Sequence, residues 1–216
     1  DFVEITGADQ DVALAIIGSI KKDTITGGKG ADEIDAGEGD DTIIGFTEGD
    51  SVDGGAGTDT LELTGSVTIA DDDALSGVEA VTAADAEDGV VLDLGGQDEG
   101  FVITGSGYGD TITGGKGEDE IDAGAGDDTI IGFTAGDSVD GGAGTDTLVL
   151  GVSTTIAADD ALSGVEVVTA ADAEEGVVLD LGGQAEGFVI TGSAGADTIT
   201  GGKGADEIDA GEGDDT

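Results

Sequence analysis

Residues 18–62 read GSIKKDTIT, GGKGADEID, AGEGDDTII, GFTEGDSVD and GGAGTDTLE, five nonapeptides in unbroken succession. The sixth place is always aspartate: Asp23, Asp32, Asp41, Asp50 and Asp59. The eighth is always a branched aliphatic: Ile25, Ile34, Ile43, Val52 and Leu61. Glycines hold the second and fourth places in three of them, as Gly28 and Gly30, Gly37 and Gly39, and Gly55 and Gly57. The last three places alternate polar and aliphatic residues, the pattern of a very short strand with one face turned inward. The glycine-rich first six places predict a tight turn. Two nonapeptides then make one coil of loop, strand, loop and strand, so residues 18 apart stack. Asp23, Asp41 and Asp59 should line one edge and Asp32 and Asp50 the other, with the aliphatic rows between them as a thin core.

The same block recurs at a longer period. The string DTITGGKG begins at Asp23, Asp110 and Asp197, an interval of 87 residues, and residues 23–109 match 110–196 at about 73 positions. The second block, 105–149, carries Asp110, Asp119, Asp128, Asp137 and Asp146, with Gly115, Gly117, Gly124, Gly126, Gly142 and Gly144 in its turns. The third, 192–216, carries Asp197, Asp206 and Asp215, with Gly202, Gly204, Gly211 and Gly213. Between the blocks lie 63–104 and 150–191, which lack the nonapeptide. Their short apolar runs, such as Val67-Thr68-Ile69, Val90-Val91-Leu92 and Phe101-Val102-Ile103, recur every 11 to 12 residues with Gly or Asp clusters between. These predict further strands on wider coils, and Asp71-Asp72-Asp73 predicts the cap of one helical turn. Residues 1–17 fit the end of another such unit. The chain thus holds about two and a half units and is expected to be a segment of a longer repetitive protein.

Composition narrows the chemistry. The 216 residues include 44 Gly, 51 Asp plus Glu and only 5 Lys plus Arg, for a formal net charge of −46. High charge with few aromatics is a mark of disorder, but 37% of residues are hydrophobic and they fall in phase. The charge excludes nucleic acid as a direct partner and disfavours anionic membranes. No apolar run is long enough to cross a bilayer. With no Cys and no His, disulfides, cysteine-based zinc sites and His or Cys catalysis are excluded, and zinc and copper are poor candidates. No acid–base pair stands out from the many carboxylates, so no catalytic residue and no organic cofactor site is assigned.

The acids and glycines point instead to a hard cation. Glycine at the second and fourth places permits backbone conformations closed to other residues, so carbonyl oxygens can turn inward. The position-six aspartate adds a carboxylate, and roughly six to eight such oxygens suit Ca²⁺. The expected metal ligands are therefore the thirteen position-six aspartates and the glycine turns named above. Outer acids such as Glu33, Asp35, Glu38, Asp40 and Glu87 read as surface charge. Asp93 and Asp180, flanked by leucines, fit either a cation site or the outside of a strand.

The nonapeptides fit the pattern GGxGxDxUx, and the chain resembles the RTX (repeats-in-toxin) calcium-binding family. Position six matches in all thirteen nonapeptides. The fourth place departs from the pattern at Lys21, Glu48, Tyr108 and Ala135, and Lys22 beside Asp23 puts a site there in doubt. The resemblance implies an all-β fold, a right-handed parallel β-roll with Ca²⁺ between stacked Gly-Asp loops, and an extracellular protein exported by type I secretion. The stretch LSGVE-x-V, at Leu75–Val81 and Leu162–Val168, resembles segments of very large bacterial surface and S-layer-like RTX proteins. The expected role is a Ca²⁺-stabilised structural segment (surface layer, matrix fibre or adhesin extender) that folds on calcium binding after export. Its expected partners are calcium ions and neighbouring repeats, with end-to-end or lateral self-assembly. The other reading is the secretion and folding module of a toxin or protease whose catalytic domain lies elsewhere. An ice-binding role would need an outward rank of Thr or Asn, which the third position lacks.

Overall fold

The computed structural model describes residues 3–216, and every strand pair in it is parallel. The chain winds as a β-solenoid. Each complete nonapeptide contributes one three- to five-residue strand that contains its aliphatic, such as Thr24–Thr26, Glu33–Gly37 and Thr42–Ile44. Within a block, pairing follows the 18-residue register: Ile25 opposes Ile43, which opposes Leu61, and Ile34 opposes Val52. These side chains are buried in two facing rows. A parallel ladder leaves every strand N–H and C=O paired with the coils above and below, so three-residue strands suffice.

The sheets run on through 63–104. The strands Thr60–Glu62, Ala80–Thr82, Val102–Thr104 and Glu120–Asp122 pair in succession, carrying one wall from the first block into the second. The opposite wall breaks once. Leu75–Ser76 ends a four-stranded sheet, and Val67–Thr68 begins an eight-stranded one. The expected helical turn is a 3₁₀ turn at Asp72–Ala74, and the Asp71 carboxylate accepts the Asp73 N–H at 3.2 Å. The wide loop before it is held by Gln97. This side chain is fully buried, and its Nε2 donates to the carbonyls of Ile69 and Asp71 at 3.1 and 2.9 Å. Gln184 does the same for Ile156 and Ala158.

A consequence of this topology is a half-turn between units. Thr24–Thr26 stands in the nine-stranded sheet, whereas its counterpart Thr111–Thr113 stands in the eight-stranded one. Five nonapeptides supply five half-coils. The segment 63–104 supplies four more, counting Val67–Thr68 and Leu75–Ser76 as one. The total is odd, so each unit repeats on the wall opposite its predecessor. The break recurs accordingly on the other wall, where Leu162–Ser163 ends the nine-stranded sheet and Thr154–Thr155 begins a three-stranded one.

Candidate metal centre

The strand register carries the position-six aspartates into columns. Asp23, Asp41 and Asp59 precede three stacked strands on one edge, and that edge continues through Glu79 and Phe101 to Asp119 and Asp137. The half-turn puts Asp110, Asp128 and Asp146 on the opposite edge. All ten aspartates of the two complete blocks are buried, as is Asp197. Asp206 is half-buried and Asp215 exposed.

Each carboxylate spends one oxygen on the column. Asp41 Oδ1 accepts the Asp23 N–H at 2.7 Å, and Asp59 Oδ1 accepts that of Asp41 at 2.7 Å. Asp50 accepts from Asp32, Asp128 from Asp110, Asp137 from Asp119, Asp146 from Asp128 and Asp215 from Asp197 in the same way.

The second oxygen divides the aspartates into two classes. In one class the same nonapeptide's loop folds back on it. Asp23 Oδ2 accepts the Ser19 N–H at 2.6 Å, and Asp110 and Asp197 accept those of Ser106 and Ser193. Asp32 accepts from Gly28, Asp50 from Thr47 and Asp137 from Thr134. In the other class Oδ2 is buried and has no partner: Asp41, Asp59, Asp128 and Asp146. An oxygen so placed costs free energy unless something reaches it. Asp119 stands between the two, because the Gly115 N–H lies against its carboxylate without closing a hydrogen bond to Oδ2.

Backbone conformation accounts for most of the division. Gly37, Gly39, Gly55 and Gly57 have φ of +102°, +138°, +90° and +150°, and Gly124, Gly126, Gly142 and Gly144 follow suit. These precede the unpartnered Asp41, Asp59, Asp128 and Asp146. The left-handed turn aims the loop N–H groups at the neighbouring coil instead. Glu38 N–H reaches Ser19 O, Ala56 N–H reaches Gly37 O and Gly39 N–H reaches Ala56 O. Gly211 and Gly213 adopt the same turn. Gly28, Gly30, Gly115, Gly117, Gly202 and Gly204 do not, so the freedom that glycine permits at these places is not used there. Their reason is contact: a Cβ on Gly30 would lie 2.5 Å from Ala13 N, and one on Gly117 would strike Gly100 N.

Charge follows the same division. Burial pushes the Asp41, Asp59 and Asp146 carboxyls above their ordinary range, and neighbouring carboxylates add to it against one donated N–H. Asp119 and Asp128 are raised to about 6, chiefly by burial. For Asp23 and Asp197 burial acts upward too, but the donors at Val3 and Ser19, or Val177 and Ser193, outweigh it and hold them low.

Other expectations meet different outcomes. Lys22 forms no ion pair among the described residues, where only Lys29–Asp11 and Lys116–Asp98 pair. The partner that satisfies Asp23 is Ser19, whose Oγ adds a bond at 3.1 Å. Asp40 ties loops together, accepting the Thr58 N–H at 3.0 Å, as Asp127 does for Thr145. Asp93 and Asp180 each accept the N–H two residues on, at 3.0 Å, and so close local turns.

Sequence reading missed the glycines at position one. A Cβ on Gly141 would collide with Gly164 O and lie 2.9 Å from Asp146 Oδ2. That position is glycine because a carbonyl and a carboxylate converge on it, and its recurrence at Gly18, Gly54, Gly105 and Gly192 was the available signal. No cluster of three or more acidic side chains converges among the described residues, so any cation here draws on carbonyls as well as carboxylates. The buried, unpartnered oxygens and the cradles that a Cβ would fill fit such a hard-cation site.

The family model of the RTX calcium-binding nonapeptide repeat matches residues 17–45, 47–63, 104–132, 121–148, 134–152 and 189–216, more than half of the chain. No curated protein matches the chain.

Proposed function

Because the chain belongs to the family of RTX calcium-binding nonapeptide repeats, we propose that it is a calcium-fastened structural segment of a large bacterial extracellular protein. The observation that carries this reading is the pairing of unpartnered oxygens in register. Asp41 and Asp59 face one another across consecutive coils on one edge, and Asp128 and Asp146 do so on the other. Their carboxylates, with carbonyls of the glycine loops between them, are the proposed ligands.

When bound, Ca²⁺ neutralises facing carboxylates and ties one coil to the next. The remaining aspartates act within the chain. Asp23, Asp32, Asp50, Asp110, Asp137 and Asp197 pin their own loops through N–H groups and align the column.

Without the ion, the raised carboxyls of Asp41, Asp59 and Asp128 oppose stacking, and a core one side chain deep offsets little chain entropy. Folding is therefore coupled to calcium. Extracellular calcium modules bind at about 10⁻⁴ to 10⁻³ M, a range that keeps the chain unfolded until export. Solenoid coils contact only their neighbours, which suits an extended scaffold in a surface layer, fibre or adhesin stalk.

Far-UV circular dichroism in EDTA and in millimolar Ca²⁺ tests the coupling. A disordered spectrum in chelator and a β spectrum on adding Ca²⁺ are expected. The same β spectrum in both would overturn the proposal.

A further inference from the structure

The carboxylate columns do not stop where the nonapeptides stop. Asp59 N–H donates to Glu79 Oε2 at 2.8 Å, as Asp41 N–H donates to Asp59 Oδ1 one coil earlier. Asp146 N–H donates to Glu166 Oε2 at 3.0 Å. Neither glutamate lies in a nonapeptide. Each ends an SGVE turn, and each stands 20 residues after its aspartate, where steps from one nonapeptide aspartate to the next are 18. The turn after strand Leu75–Ser76 is shorter than the loop between Ser51–Asp53 and Thr60–Glu62 on which it stacks.

What faces these glutamates is unsatisfied. Asp59 and Asp146 are fully buried, and their Oδ2 atoms have no partner. The SGVE turn also brings a carbonyl to the same place. A Cβ on Gly54 would collide with Gly77 O and lie 2.8 Å from Asp59 Cβ. At the second copy, Gly164 O and Asp146 Oδ2 both crowd the Cβ position of Gly141.

We propose that Glu79 and Glu166 each close a column with a terminal calcium site. Its ligands are the Asp59 and Glu79 carboxylates with Gly77 O, and the Asp146 and Glu166 carboxylates with Gly164 O. The inference rests on the reading that the nonapeptide loops bind calcium. It extends that binding one coil into the segment without nonapeptides, so the SGVE turn is the end-plate of each calcium row.

Native mass spectrometry of the Ca²⁺-loaded chain tests it. Glu79→Gln and Glu166→Gln keep an oxygen that accepts the aspartate N–H but remove the charge. Each single variant should lose one bound ion and the double variant two, with the β spectrum kept at saturating Ca²⁺. Folded variants with the full wild-type count would overturn the proposal and leave the glutamates as amide acceptors only. A wild-type chain that binds no Ca²⁺ would instead defeat the underlying reading. Anomalous scattering from crystals of the Ca²⁺-loaded wild-type chain gives an answer independent of variant folding. Peaks between Asp59 and Glu79 and between Asp146 and Glu166 are expected, and ions in the nonapeptide loops with none at these two places would sink the idea.

Discussion

Asp41 accepts the backbone N–H of Asp23 at 2.7 Å on one carboxylate oxygen and keeps the other buried without a partner. Asp23 accepts from Val3 and Ser19 and has no oxygen to spare. Two aspartates at equivalent places of the repeat thus have different work. Asp41→Asn keeps an acceptor for the Asp23 N–H and loses the charge. It should raise the Ca²⁺ midpoint of folding by at least the roughly tenfold that loss of a metal site's outer-shell partner costs. Asp23→Asn should leave that midpoint nearly unchanged. Its cost is structural, about 1.5–3 kcal/mol for weakening charge-assisted hydrogen bonds, read by thermal unfolding at saturating Ca²⁺. Equal midpoint shifts in the two variants would contradict the division.

The glycines divide in a parallel way. Gly55 has φ +90°, and a Cβ there would run into Gly37 O of the coil before. Gly55→Ala should cost about 1–3 kcal/mol from the backbone conformation alone, and more from the collision. Gly107 has nothing within 4 Å of its Cβ position and no left-handed φ. Gly107→Ala should be neutral or stabilise by about 0.4–1 kcal/mol through the unfolded chain. Melting temperatures of the two variants in saturating Ca²⁺ decide it.

Much of this was legible in the sequence. The 18-residue stacking of Asp23, Asp41 and Asp59 follows from two nine-residue half-coils, and the structure has that register. The strands of 63–104 were marked by their apolar runs. What the nonapeptide pattern could not reveal is which aspartates keep an oxygen open. That depends on whether the loop N–H turns inward, as at Gly28, or outward, as at Gly37, and both read simply as glycine. Nor could it show Gln97 holding a wide loop from 26 residues away. The role of Glu79 was hidden for another reason: its spacing is 20, outside the nonapeptide phase.

Acid should partly replace calcium. Asp119 and Asp128 have carboxyls raised from 3.8 to about 6 in the folded chain, mainly by burial. Between about pH 4 and 6 the folded chain then holds more protons than the unfolded one, so metal-free stability falls as pH rises through that window. Asp23 and Asp197 work in the opposite sense. Their lowered carboxyls stabilise the fold above the ordinary value of 3.8 and lose that contribution only as pH falls through their folded values. In chelator, the β signal at pH 4.5 should therefore exceed that at pH 7.5. Ca²⁺ affinity should rise over the same window, with protons released on binding. A chelated chain whose β content grows from pH 4.5 to 7.5 would refute this.

The half-turn between units bears on any lateral assembly. Val91 and Val178 occupy equivalent places one unit apart, and both are about half exposed. Val91 lies in the eight-stranded sheet, and Val178 in the three-stranded sheet on the other wall. A surface built from one unit therefore reappears on the opposite side in the next, and returns to the same side only after two. A one-sided binding patch cannot run along such a rod, whereas contacts alternating left and right can. The chain has no cysteine, so Val91→Cys and Val178→Cys can be labelled cleanly. Gold particles on the double variant, imaged on the Ca²⁺-loaded chain, should sit on opposite flanks of the solenoid. Labels on one flank would mean that the unit spans a whole number of coils, and the odd total of half-coils in the unit would be wrong.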